Sequence, residues 1–245
     1  MARSADRNAE HEGGFWRDRT RIVLTPVAAP SILGLFGFAA SAFAVSANVV
    51  GWYGVRSVTP LVLAAFVLTF GGVAQVLAAM WAYRARDAVA TAMHGAWGSY
   101  WIGYGLYHLL IAAAVLPAPT ADAVARTAFG FWFVGLAAIT VIGSAAAAAE
   151  NLGIALELLG RTCGATLLAI GLIAGVPAAR TAGGYALIVA AVLACYTASG
   201  LLLEAATQRV VLPVGKRGAE PDTPGARPRR IVQYPAGEPG VRYGQ

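Results

Sequence analysis

The chain has 245 residues, 58% of them hydrophobic and only 12% charged, with mean hydropathy +0.64 and a formal net charge of +6. Soluble domains carry about 25% charged residues, and here only 11 Asp, Glu, Lys and Arg residues fall between Ser31 and Ala206, the other 19 lying in the two ends. That middle is apolar all round, which excludes a water-soluble core and predicts an all-α membrane protein, a compact six-helix bundle.

In chain order, residues 1–30 form a polar, arginine-rich segment without the short apolar run of a cleavable signal peptide. Within it, "GGFWRDRTRIVL" mixes aromatics with arginines; it reads either as a segment lying along the membrane surface or as a solvated one. Six apolar runs follow, at about 31–53, 59–83, 88–116, 122–146, 151–176 and 181–206. Each is long enough to cross about 30 Å of hydrocarbon. The connectors "GVRSVTP", "RARD", "LPAPTAD", "AAAEN" and "VPAARTAG" punctuate them, with Pro117, Pro119 and Pro177 at helix-ending positions. Residues 207–245 are rich in proline and glycine and carry "KRG" and "RPRR", which predicts a mostly disordered basic tail beyond about Gly215.

Arginine and lysine counts predict the direction of insertion. The N-terminal segment, the second connector and the tail hold 14, whereas the first, third and fifth connectors hold one each, Arg56, Arg126 and Arg180. Both termini are therefore expected in the cytoplasm. The same placement explains a pI near 9.7 without nucleic acid. Cys163 and Cys195 sit in apolar runs and read as buried thiols, not as a disulfide framework or metal site.

Polar residues inside the spans carry the functional signal, because such groups face a bundle interior or a watery cavity. They include Asn48, Gln75, His94, Ser99, Glu157, Arg161, Thr162 and Glu204. Glu157 and Arg161 are four apart on one helix face, in the favourable order. Arg161 falls near the midplane, since it is about 15 Å into its span. Two readings stand side by side: an ion pair that neutralises itself, or an arginine that meets an anion with Glu157 modulating it. His94 is a candidate proton relay or a partner for a neighbouring helix. Trp97, Tyr100, Trp101, Tyr104 and Tyr107 crowd the third span, and spacing alone does not tell which ring faces a pore.

Four stretches in order resemble the acetate uptake transporter family of bacteria and fungi. "GLFGF" (Gly34–Phe38) is similar to the end of its first-helix signature, and "FGGVAQVLAAMWAYR" (Phe70–Arg84) to its second-helix GG-x-AQ run. "GAWGSYW" (Gly95–Trp101) resembles its third-helix motif, and "VLPVG" (Val211–Gly215) its closing V-L-P-I-G. The resemblance implies six-helix protomers in a homo-oligomer, a hexamer, within the cell's inner membrane. It also implies that each protomer has its own hourglass pathway for a small carboxylate, with a proton moving alongside. By this resemblance the constriction falls on Phe38, on Trp97 in place of the family's tyrosine, and on Ala194. The family's constriction leucine lands at or near Arg161. The chain departs further at Ala29, Ile32 and Ala82, which replace an asparagine, a proline and an acidic residue.

Substrate-pathway candidates are thus Phe38, Trp97, Arg161 and Ala194, with Asn48, Gln75, His94, Ser99 and Glu157 as polar or proton-pathway candidates. The expected activity is transport of acetate or a similar small monocarboxylate through a narrow aromatic constriction. A passive channel for a neutral solute such as urea or an amide, and a sensor or scaffold acting through the tail, are the alternatives. No Ser-His-Asp, metal-ligand or phosphate-loop pattern occurs, so neither catalysis nor a cofactor is expected.

Overall fold

A computed structural model describes residues 28–217 and 222–226. The segment Gly13–Leu24, read above as interfacial or solvated, and most of the basic tail lie outside the described residues. The helices are α1 (Ser31–Val49), α2 (Thr59–Ala85), α3 (Ala88–Ala112), α4 (Ala123–Ala147), α5 (Leu152–Ile173) and α6 (Pro177–Thr207). Five of them are long and apolar enough to cross a membrane. α3 has the length, 25 residues, but it is diluted by two histidines and three tyrosines, which turns out to be its purpose.

Their ends follow from side-chain chemistry. Asp87, Asp122 and Asn151 each accept a hydrogen bond from the backbone N–H three residues on, at 2.8, 2.7 and 3.2 Å, and so cap α3, α4 and α5. Pro60 and Pro177 occupy first turns, where a missing N–H costs nothing. Pro177 therefore opens α6 instead of closing α5, against the expectation from sequence. Arg86 and Gln208 take left-handed backbone (φ 58 and 55) and end α2 and α6.

The six helices form a ring in sequence order: each packs on its neighbour, and α6 closes the ring on α1. The α3–α4 seam is the thinnest of the six contacts. Large apolar side chains such as Val62, Phe66 and Trp81 of α2 and Phe131 and Ile142 of α4 point outward. Lipid accepts them, which is why these runs show no polar face. Cys163 and Cys195 are likewise exposed on the outside of the ring and not buried as expected; in a bilayer a small thiol is equally at home facing acyl chains. The interior is filled by one cluster drawn from the helices around the ring, including Phe38, Trp97, Tyr100, Trp101, Phe133, Leu168 and Ala194.

α2 is not uniform. Val67–Val73 is wound as a π-helix around Gly71 and Gly72, a local widening often found at functional positions. A side chain on Gly71 would meet Ser41 at 2.5 Å and Trp101 at 2.9 Å, so glycine is what lets α2 lie against α1 and α3 here.

Beyond α6 the chain folds back as a strap. Leu152 and Gly153 donate their N–H groups to Gly215 and Val214 at 3.0 and 2.8 Å, and Lys216 pairs with Glu204 at 2.6 Å. Asp222 accepts from Val214 and Gly215, and Val210 donates to Ala226. Backbone donors left open at the start of α5 are thus satisfied by the strap, and Lys216 and Asp222, beyond Gly215, tie it to α6 and to itself.

Candidate functional site

Two internal cavities enter the ring from opposite ends. The smaller opens at the end where α1, α3 and α5 begin; Asp87, Glu150 and Asn151 stand at its mouth and His94, Leu35 and Glu157 lie deeper. The larger opens at the other end between Arg56 and Arg180 and runs past His108, Tyr104 and Tyr100 to Trp97.

The layer between them is built from Phe38, Trp97 and Arg161, all of them buried. Phe38 and Trp97 meet edge to face, with ring centroids 5.3 Å apart. The Arg161 guanidinium carbon lies over Phe38, 3.4 Å from its ring centroid, and 5.4 Å from that of Trp97. It donates two parallel hydrogen bonds to Glu157, Nε to Oε2 at 2.6 Å and Nη2 to Oε1 at 2.9 Å. The chain of contact therefore runs from the larger cavity through Trp97, Arg161 and Glu157 into the smaller one. Stacking on aromatic faces and a bidentate fork to a carboxylate are what a guanidinium does best when removed from water. One nitrogen, Nη1, is buried without a hydrogen-bond partner.

Trp97 is held in place. Its indole Nε1 donates to Thr140 Oγ1 at 3.0 Å across the α3–α4 seam, and Thr140 in turn donates to the Leu136 carbonyl at 2.6 Å. His94, one turn below, is buried with Nδ1 unpartnered. Its ring fills the space that a side chain on Gly34 would need, so that glycine is required for α1 to pass this close.

The other residues singled out from sequence divide. Asn48 is buried on the wall of the larger cavity, with Nδ2 donating to the Tyr53 carbonyl at 2.8 Å. Ala194 is fully buried in the same cluster as Phe38 and Trp97. Gln75 is fully buried but lines neither cavity; it donates to the Gly71 carbonyl, the loose turn of the π-helix, at 2.6 Å. Ser99 is exposed in a groove between α2 and α3, two residues and about 200° of helix from Trp97, so it is turned away from the interior. Tyr100, Trp101 and Tyr104 are the rings of the third span that line the larger cavity with Trp97, and His108, Arg180 and Asp87, not named as site candidates from sequence, also line the two cavities. The spacing His94, Trp97, Trp101, Tyr104, His108 is the i, i+3, i+7 signal of one helix face, and it could have identified the inward side of α3.

Outside the spans, burial pushes the Asp87 carboxyl up to about 6, with the Glu150 charge adding to the effect while N–H groups of Ala90 and Val89 oppose it. Among the described residues no group of His, Cys, Asp and Glu is arranged to hold a metal ion.

Fold and site together define a multi-pass helical membrane protein with two cavities separated by a buried layer that holds an ion pair. The chain belongs to the GPR1/FUN34/yaaH family, whose sequence model matches residues 15–216. It is 27% identical over 192 residues to the succinate-acetate/proton symporter SatP of Escherichia coli K12, covering 78% of this chain and 97% of that one. The Shigella flexneri protein of the same name matches to the same extent. Among solved structures, that of the bacterial acetate channel SatP matches with a TM-score of 0.69 at 23% identity, covering 78% of this chain and all of the other, which shows the shared fold. The resemblance read from the four motifs holds, and these relatives are transporters or channels, not enzymes.

Proposed function

We propose that this protein carries acetate, or a monocarboxylate of similar size, across the membrane together with a proton. The observation that carries the reading is the buried Arg161 between the two cavities, with one whole nitrogen, Nη1, left without a partner after its fork to Glu157. A carboxylate arriving past Trp97 competes with Glu157 for the guanidinium. Two carboxylates against one guanidinium would leave a net negative charge in a site shielded from solvent, which is expensive. A proton taken up by Glu157 removes that charge, so one anion and one proton move together. His94, beside Glu157 on the smaller cavity, is the group through which the proton passes. The competition also keeps binding weak enough for release.

In this reading both termini face the cytoplasm, the smaller cavity is the inner vestibule, the membrane is the cell's inner membrane, and protomers assemble as a homo-oligomer, a hexamer. Residues 31–206 are the transport domain. A pathway for a neutral solute gives the arginine no part to play. Uptake of labelled acetate by proteoliposomes, with and without an inward proton gradient, tests the proposal. Wild-type protein should concentrate acetate only with the gradient, and Arg161→Leu should lose at least about tenfold in rate. Wild-type rates in the variant would remove Arg161 from the mechanism.

A further inference from the structure

Among the described residues, the end of the ring where α1, α3 and α5 finish holds three arginines and one carboxylate, Asp122. Asp122 is engaged in capping α4, and among the described residues no ion pair joins any of the three arginines to an acid. Arg56 and Arg180 line the mouth of the larger cavity. Arg180 stands within electrostatic reach of both Arg56 and Arg126. Arg126 and Arg180 are each half-buried, and the Nε of each is shielded from solvent with no hydrogen-bond partner. Arg56 is spent in part on closing α1, donating from Nη2 to the Val49 carbonyl at 2.8 Å. The N-termini of α4 and α6, the positive ends of their dipoles, lie at the same end.

Three like charges held together cost free energy, and unused donors add to that cost. An arrangement of this kind, set over an aromatic funnel leading to Trp97, fits an anion that arrives and moves on. We propose that Arg56, Arg126 and Arg180 form an anion-collecting mouth that gathers small carboxylates into the larger cavity and excludes cations. This deepens the transport reading and rests on it for the identity of the anion. Arg126 and Arg180 have no direct contact with the constriction, so they act on the approach of the substrate and not on its passage past Trp97.

The mouth is testable without transport. In a chain with Cys163 and Cys195 replaced by alanine, Ala118→Cys places one thiol on the wall of the larger cavity. Its reaction rates with a sulfonate-bearing and a trimethylammonium-bearing methanethiosulfonate reagent report the local potential. The parent should favour the anionic reagent by about tenfold or more. Arg126→Gln with Arg180→Gln should bring the ratio toward unity, and Arg126→Lys with Arg180→Lys should keep it. An equal ratio in the parent, or one unmoved by the glutamine pair, overturns the proposal. In proteoliposomes the glutamine pair should raise the KM for acetate several-fold with kcat retained, and high salt should erase the difference from wild type. If no chain takes up acetate while the reagent ratio behaves as stated, the mouth stands and the transport reading falls.

Discussion

At the scale of single residues, the balance at the constriction is set by Glu157 and Arg161. A buried pair contributes little net stability, because desolvation cancels most of the attraction, but removing one partner strands the other. Glu157→Gln should therefore destabilise the protein by about 3–5 kcal/mol, and adding Arg161→Met to it should recover most of that loss. Thermal unfolding of purified protein in detergent measures both. A second residue sets the bore. Trp97 meets Phe38 edge to face and is fixed by Thr140, so in the proposed pathway its ring is the group that would limit the size of what passes. Trp97→Ala should admit acids of four to six carbons while leaving acetate uptake within about threefold; an unchanged size profile in a competition assay would detach Trp97 from the pathway.

At the scale of elements, α3 is where chemistry and structure conflict most. Its inward face carries two histidines and four large aromatics, and its start depends on Asp87, which both caps the helix and lies at the mouth of the smaller cavity. Burial raises the Asp87 carboxyl from 3.8 to about 6. The folded chain thus binds this proton more tightly than the unfolded one, so the stabilising contribution is whole below about pH 4 and is lost as pH rises through about 6. Asp87→Asn keeps an acceptor for the Ala90 N–H. It should flatten the stability profile between pH 4 and 6, and Asp87→Ala should in addition cost about 1 kcal/mol of capping. A midpoint that still falls across that window in the Asn variant would assign the titration elsewhere.

Hydropathy makes the helices of the ring legible from sequence, and so do the polar residues that line it: apolar runs have nowhere else to go, and a buried ion pair four residues apart announces itself. Phe38 and Trp97 came from motif resemblance, and the structure sets them side by side. What hydropathy could not tell was sidedness. Ser99 looked as promising as His94, yet a rotation of about 140° separates the wall from the groove outside it. Cys163 and Cys195 were placed inside because apolar surroundings suggest a core, whereas in lipid the surroundings are apolar on both sides of a helix. The strap after α6 was hidden for another reason: its hydrogen bonds are made by backbone, which composition does not register.

For the molecule as a whole, the ring is continuous but not uniform. Five of its contacts are long helix-to-helix packings, whereas α3 and α4 meet mainly through side chains: Trp97 with Thr140, Tyr100 with Phe133, Met93 against Gly143. Packed helices resist shear because every methylene interdigitates, so the thin seam is where the ring can part at least cost. If passage of the anion needs the layer of Phe38, Trp97 and Arg161 to loosen, that loosening should occur along α3–α4. Locking it tests this. In the background lacking Cys163 and Cys195, Met93→Cys with Gly143→Cys joins α3 to α4, and Gly164→Cys with Leu187→Cys joins α5 to α6 as the control; in each pair the glycine sits directly under its partner. Oxidation of the first pair should lower acetate uptake by about tenfold and reduction should restore it, while the control pair keeps most of its rate. Inhibition by neither would mean that the substrate slips through a ring that stays shut at this seam, and equal inhibition by both would mean that the movement is not confined to it.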